Sequence, residues 1–173
     1  MDTGILLEEI QAFSKKSVDV FFKIMTGILI SGSFCSFILS FPGFNGKEEL
    51  NEGLLAGAII SGLVGFLLNK AKLITQIRAD GIYVRFPPFQ SSFTICAWDS
   101  IDHIFLRSYN AITEYGGFGI RFGPMGRAYN VSGDKGVQII FKDQSKLLIG
   151  TNRPEDIANV LMLLNKFDFQ IIT

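Results

Sequence analysis

Apolar residues in this chain follow three different rhythms, and each predicts a different kind of element. From Ile24 to Phe44, and again from Gly53 to Asn69, no charged residue interrupts the run. A helix rises about 1.5 Å per residue, so roughly 20 apolar residues cross a hydrocarbon core of about 30 Å. The first run meets that length, and Lys70 and Lys72 can snorkel to lengthen the second. The pattern predicts spans over about 21–44 and 53–71, joined by the short connection Asn45–Glu52 and therefore antiparallel. Pro42-Gly43 ends the first span, because proline cannot continue the helical ladder. Ahead of it, Ile5, Leu6, Ile10 and Phe13 alternate with Glu8, Glu9, Lys15 and Lys16 at helical spacing. They predict a short amphipathic helix, or a cytoplasmic extension of the first span.

After Lys72 the rhythm becomes that of strands. Leu73–Arg78 and Gly81–Phe86 flank the turn signal Asp80-Gly81, and Ile82, Val84 and Phe86 alternate with Tyr83 and Arg85. Further strands are predicted at about Ser92–Ala97, Ile101–Tyr109, Phe118–Phe122, Arg127–Val131, Val137–Lys142 and Lys146–Ile149. Phe118, Ile120 and Phe122 are expected to share one face, with Arg121 leaving it. The last element is helical again. Pro154 favours a first turn, Glu155 and Asp156 suit its dipole, and Ile157, Val160, Leu161 and Leu164 recur along one face. The division expected is an N-terminal segment with its hairpin over 1–72, and a β-domain over 73–173.

Charge adds an orientation. The 173 residues carry no net charge, which removes a bulk attraction to nucleic acid. Residues 1–69 hold four lysines against seven carboxylates, so the remainder is mildly basic. Lys15, Lys16 and Lys23 precede the hairpin and Lys70, Lys72 and Arg78 follow it, while Lys47 sits among three glutamates in the loop. The positive-inside rule then puts both termini in the cytoplasm of a multi-pass cell-membrane protein. Within the spans, Gly53, Gly57, Ser61 and Gly65 fall four residues apart, as do Gly32 and Ser36. Such stripes let helix backbones approach closely in lipid and predict the packing face of the hairpin.

The stretches Trp98-Asp99-Ser100-Ile101, Tyr115-Gly116-Gly117-Phe118-Gly119-Ile120-Arg121, Ala128-Tyr129-Asn130-Val131-Ser132-Gly133 and Ile149-Gly150-Thr151-Asn152-Arg153-Pro154 resemble uncharacterised small bacterial membrane proteins. In that family a two-helix transmembrane hairpin precedes a pleckstrin-homology-like (PH-like) domain. The resemblance implies an α+β membrane protein. Its hairpin would be followed by a PH-like antiparallel β-sandwich or barrel of about seven strands, closed by a C-terminal amphipathic helix. It implies no catalytic residues.

Chemistry-bearing constellations are sparse. His103 is the only histidine, and Cys35 and Cys96 are far apart, so neither a zinc set nor a disulfide framework follows. No nucleophile elbow or phosphate-loop motif occurs among the glycines around residues 116–136. Asn130-Val131-Ser132 fits a glycosylation sequon that a cytoplasmic domain does not use, and Trp98 is expected to anchor the core. Arg107, Arg121 and Arg127, with Gly117 nearby, form a candidate cluster for a phosphate, a carboxylate or a partner. A solvated sheet face accounts for the same residues. The function expected is a non-enzymatic, membrane-anchored binding or assembly module without cofactor. Its partners would be the membrane and either a second copy or another membrane protein. The alternatives are a receptor for a small anionic ligand or lipid headgroup, and an enzyme of unknown type.

Overall fold

The computed structural model describes residues 4–13, 23–24, 59–60 and 62–166. The chain forms two compact units, one built from Met1–Ala12 with Ala71–Thr173, the other from Phe13–Lys70. In the first unit, nine described strands make two sheets. Strands β1 (Ile5–Ala12), β2 (Lys72–Arg78), β3 (Gly81–Arg85) and β4 (Thr94–Ala97) lie side by side in that order. The second sheet holds β5 (Ile101–Ser108), β6 (Gly119–Gly123), β7 (Gly126–Asn130), β8 (Lys135–Phe141) and β9 (Lys146–Gly150), in the order β5-β8-β9-β7-β6. A five-residue helix α1 (Ala111–Tyr115) follows β5, and a ten-residue helix α2 (Pro154–Leu163) follows β9. The sheets face each other across Leu73, Ile77, Ile82, Val84, Ile104, Val137, Ile139 and Ile149, all buried. Ile157 and Leu161 of α2 are buried as well.

Strands β2 to β9 lie close to where alternation placed them, because each has an apolar face to bury and a turn to end it. The β8–β9 turn shows the local chemistry. Asp143 accepts hydrogen bonds from the backbone N–H and hydroxyl of Ser145 at 2.9 and 2.6 Å, while Gln144 takes a left-handed conformation. These bonds hold the Asp143 carboxyl below its ordinary range.

The N-terminal segment corrects the reading from period. Residues 5–12 are a strand, not an amphipathic helix, and pair antiparallel with β2 from Leu7↔Ile77 to Ala12↔Lys72. The side chains it buries are Leu7, Glu9 and Gln11, while Ile5, Leu6 and Ile10 face outward. Two polar groups enter the core side because partners await them. Glu9 accepts from the Thr151 hydroxyl at 2.7 Å and from the Asn152 backbone N–H at 2.9 Å. Gln11 donates to the Gly150 carbonyl at 2.8 Å. Buried polar groups are tolerated where they are paired, and here they fix the register of the strand.

The membrane architecture is also corrected. Among the described residues, no helix is long and apolar enough to cross a membrane. Most of the two runs, 21–44 and 53–71, lies outside the described residues; the helical residues described there are 23–24, 59–60 and 62–70. The two-helix transmembrane hairpin is therefore unsupported. With it go the multi-pass cell-membrane location with both termini in the cytoplasm, and the resemblance to small membrane proteins carrying such a hairpin. Of the predicted packing residues, Gly65 is buried in the helical stretch 62–70; Gly53, Gly57, Ser61, Gly32 and Ser36 lie outside the described residues.

The PH-like sandwich or barrel of about seven antiparallel strands is corrected too. The described strands number nine, the two sheets do not close into a barrel, and β7 pairs with β9 in parallel. The strand that alternation did not place is β1, from the N-terminal segment.

Candidate functional site

Register assigns every strand position of the second sheet to a face, since directly paired residues point the same way. One cross-strand row runs Ile104, Ile139, Leu147, Arg127, Phe122 from β5 to β6. Ile104, Ile139 and Leu147 are buried against the first sheet, whereas Phe122, on the same face, is 71% exposed. Cover therefore runs out toward β6. Where it does, a groove of about 560 Å³ opens. Phe122 and Arg127 form its floor, with Leu147, Phe141 and Pro124 as apolar walls; Thr94, at the start of β4, and Lys146 stand on the rim.

Each wall is positioned by local sequence. Gly126 sits at the β6–β7 turn with φ +95°, and a Cβ there would collide with the Lys146 carbonyl, so only glycine lets the hairpin lie against β9. The Arg127 guanidinium stacks 4.8 Å from the centre of the Phe122 ring, and its Nη1 donates to the Tyr129 hydroxyl at 3.4 Å. Tyr129 lies in turn 3.3 Å from the Thr94 hydroxyl, which also accepts from Gln90 at 2.8 Å. This chain of polar contacts ties the edge strand β4 to the floor. Asp and Glu are missing from the groove's own lining, whose charged members are Arg127 and Lys146.

The arginine cluster expected from sequence does not converge. Arg107 and Arg121 lie on the opposite face from Arg127 and at opposite edges of the five-stranded sheet. Arg107 is a structural residue. It forms an ion pair with Glu114 at 2.8 Å and donates to Gln138 at 2.9 Å and to the Tyr115 hydroxyl at 3.0 Å. These contacts fasten α1 over a small cluster of Tyr109, Ala111, Tyr115, Ala128 and Leu148. Arg121 turns back on its own loop, donating to the Phe118 carbonyl at 2.8 Å and lying over Gly117. Of the four residues singled out, only Arg127 lines the groove.

Other candidates resolve into structure. Asn130 is fully buried and accepts from the Gly119 N–H at 2.9 Å, so the folded sequon is inaccessible. Trp98 is half-buried and donates to the Ala79 carbonyl at 3.0 Å, closing the β2–β3 turn from outside rather than anchoring the core. His103 is exposed beside Asp102, 3.6 Å away. Among the described residues no group of His, Cys, Asp and Glu is placed to hold a metal ion. Sequence reasoning missed Lys146, Thr94 and Phe122 as a set. Phe122 was legible as an apolar strand residue, but only register shows that the facing sheet fails to cover it.

No family model, curated protein or solved structure matches the chain. The groove is therefore the feature from which a function can be read.

Proposed function

We propose that the two-sheet unit is a non-catalytic binding module whose partner protein occupies the groove between β4 and the β6–β7 hairpin. The observation that carries this reading is Phe122, a large aromatic on the core-facing side of a sheet, left mostly exposed and touched by the Arg127 guanidinium. An isolated exposed apolar residue is ordinary. A core-facing row that continues past its cover into a groove with apolar walls is not. Aromatic and arginine side chains together are what protein interfaces concentrate at their centres. The lining supplies cations and hydroxyl or amide groups, a set suited to holding a ligand. General acid–base chemistry would call for a placed proton acceptor that this lining does not supply.

The test is site-specific photo-cross-linking in the full chain. A benzophenone side chain replaces Phe122, and in a control replaces Ile112, which is 72% exposed on α1. The reading expects a discrete protein adduct from position 122 alone, abolished by Arg127→Glu with Lys146→Glu. Equal adducts at both positions, or adducts insensitive to the charge reversals, would refute it.

A further inference from the structure

We infer that the occupant is an extended, acidic segment of a partner protein that adds beside β4 as a fifth strand of the first sheet; this rests on the binding reading above. Among the described residues the first sheet has four strands and the second has five. Strand β4 pairs with β3 on one side, and no described strand pairs with its other side. An edge strand presents unpaired N–H and C=O groups, and peptide ligands commonly use them by adding a strand. Neighbouring strands sit about 4.8 Å apart. A strand set beside β4 continues the first sheet over the part of the second that it leaves bare. Thr94 on the groove rim belongs to that edge, and its hydroxyl is already linked to the floor through Tyr129.

The side chains of such a strand would alternate. Those facing inward would meet Phe122, Leu147 and Phe141, so apolar residues suit them. Charge selects the rest. Arg127 brings a positive charge to a lining without a carboxylate of its own; Lys146 also lines the groove, but register turns its side chain to the opposite face, the one that carries Arg107 and Arg121. An arginine held flat over an aromatic ring still offers its N–H edge to a carboxylate. Asp143, next to Gln144 and Ser145 of the lining, is turned toward Ser145 by two hydrogen bonds that keep it anionic. Backbone pairing would supply sequence-tolerant affinity, and the Arg127 guanidinium would select for Asp or Glu between apolar positions.

Selection of a random twelve-residue peptide library on the immobilised full chain tests this, followed by anisotropy titration of the enriched peptides. The expected consensus alternates acidic and apolar residues. Affinity should fall at least tenfold for Arg127→Ala, in a variant whose urea melt matches the parent. N-methylation of alternate peptide residues should cost at least tenfold in one register and little in the other, because only every second N–H faces β4. Loss with the cation variant but indifference to N-methylation in both registers overturns strand addition and leaves the groove reading standing. Strand addition is likewise overturned if no peptide is enriched while the Phe122 cross-link is positive. Enriched peptides that ignore the cation variant overturn both. Self-association of the chain that the peptides displace would make a second copy the occupant and overturn the acidic partner.

Discussion

Removing the charge of Glu9 should loosen β1 without disturbing the second sheet. Glu9 is 4% exposed, and its two oxygens take up the Thr151 hydroxyl and the Asn152 N–H. Hydrogen bonds to a charged group contribute about 1.5–3 kcal/mol each, against about 0.5–1.5 for neutral ones. Glu9→Gln keeps the shape but turns both bonds neutral, at a cost of about 2 kcal/mol. It also sets an NH₂ group against one of two donors. The Thr151 hydroxyl can accept it, but already accepts from the Arg153 N–H at 2.9 Å and then loses its own acceptor. Glu9→Ala strands both donors at about 1–3 kcal/mol each, and the penalty is capped where β1 detaches and water reaches Thr151. Hydrogen exchange read by mass spectrometry separates the local from the global event. Amides of residues 5–12 should exchange about thirtyfold faster in Glu9→Gln, the equivalent of about 2 kcal/mol. Those of β8 and β9 should hold their rates. Unchanged exchange in β1, or a rise confined to β8 and β9, would refute the claim that this carboxylate docks the strand.

Two further outcomes follow from groups outside the groove. Arg107→Met should cost about 2–4 kcal/mol in a urea melt, since it leaves the buried Gln138 and the half-buried Glu114 without their cation; a loss under about 0.5 kcal/mol, the range of ordinary surface changes, would contradict its structural role. Burial pushes the Cys96 thiol up to about 12, from an ordinary value of about 8.5. The folded state then keeps a proton that the unfolded chain has released. The stability from this group is complete below about pH 8.5 and drains as pH rises toward 12, by at most about 1.4 kcal/mol per pH unit. Cys96→Ala should flatten the stability profile above about pH 8.5, measured by denaturant melts, and an identical slope in the variant would sink the assignment.

How much was legible in the sequence depended on whether the deciding interaction was local. Strands β2 to β9 and α2 carry their own alternation, turn residues or capping signals, and so could be read from short windows. Strand β1 could not. Its inward side chains include Glu9 and Gln11, and their partners at residues 150–152 are 139 to 143 positions away. The apolar residues that suggested a helix are the ones left outside. Helix α1 was missed because five residues show no period, although Asn110 caps it by accepting from Ile112 and Thr113, and Gly116 ends it in a left-handed turn. Phe118 was grouped with Ile120 and Phe122, but it packs on the opposite face with Tyr115 and Leu148. Gly119, at φ +113°, breaks the alternation between them. The groove depends on where one sheet stops covering another, and no window along the chain records that.

Strand β1 also changes what the intervening segment is to the chain. Ala12 and Lys72 are neighbours on one ladder rung, so residues 13–70 occupy the place where a hairpin would have a tight turn. Seen from the sheet, these 58 residues are a single very long connection whose two ends are pinned about 5 Å apart. The β1–β2 pairing is correspondingly the least local contact of its sheet. Until it forms, β2 is an open edge.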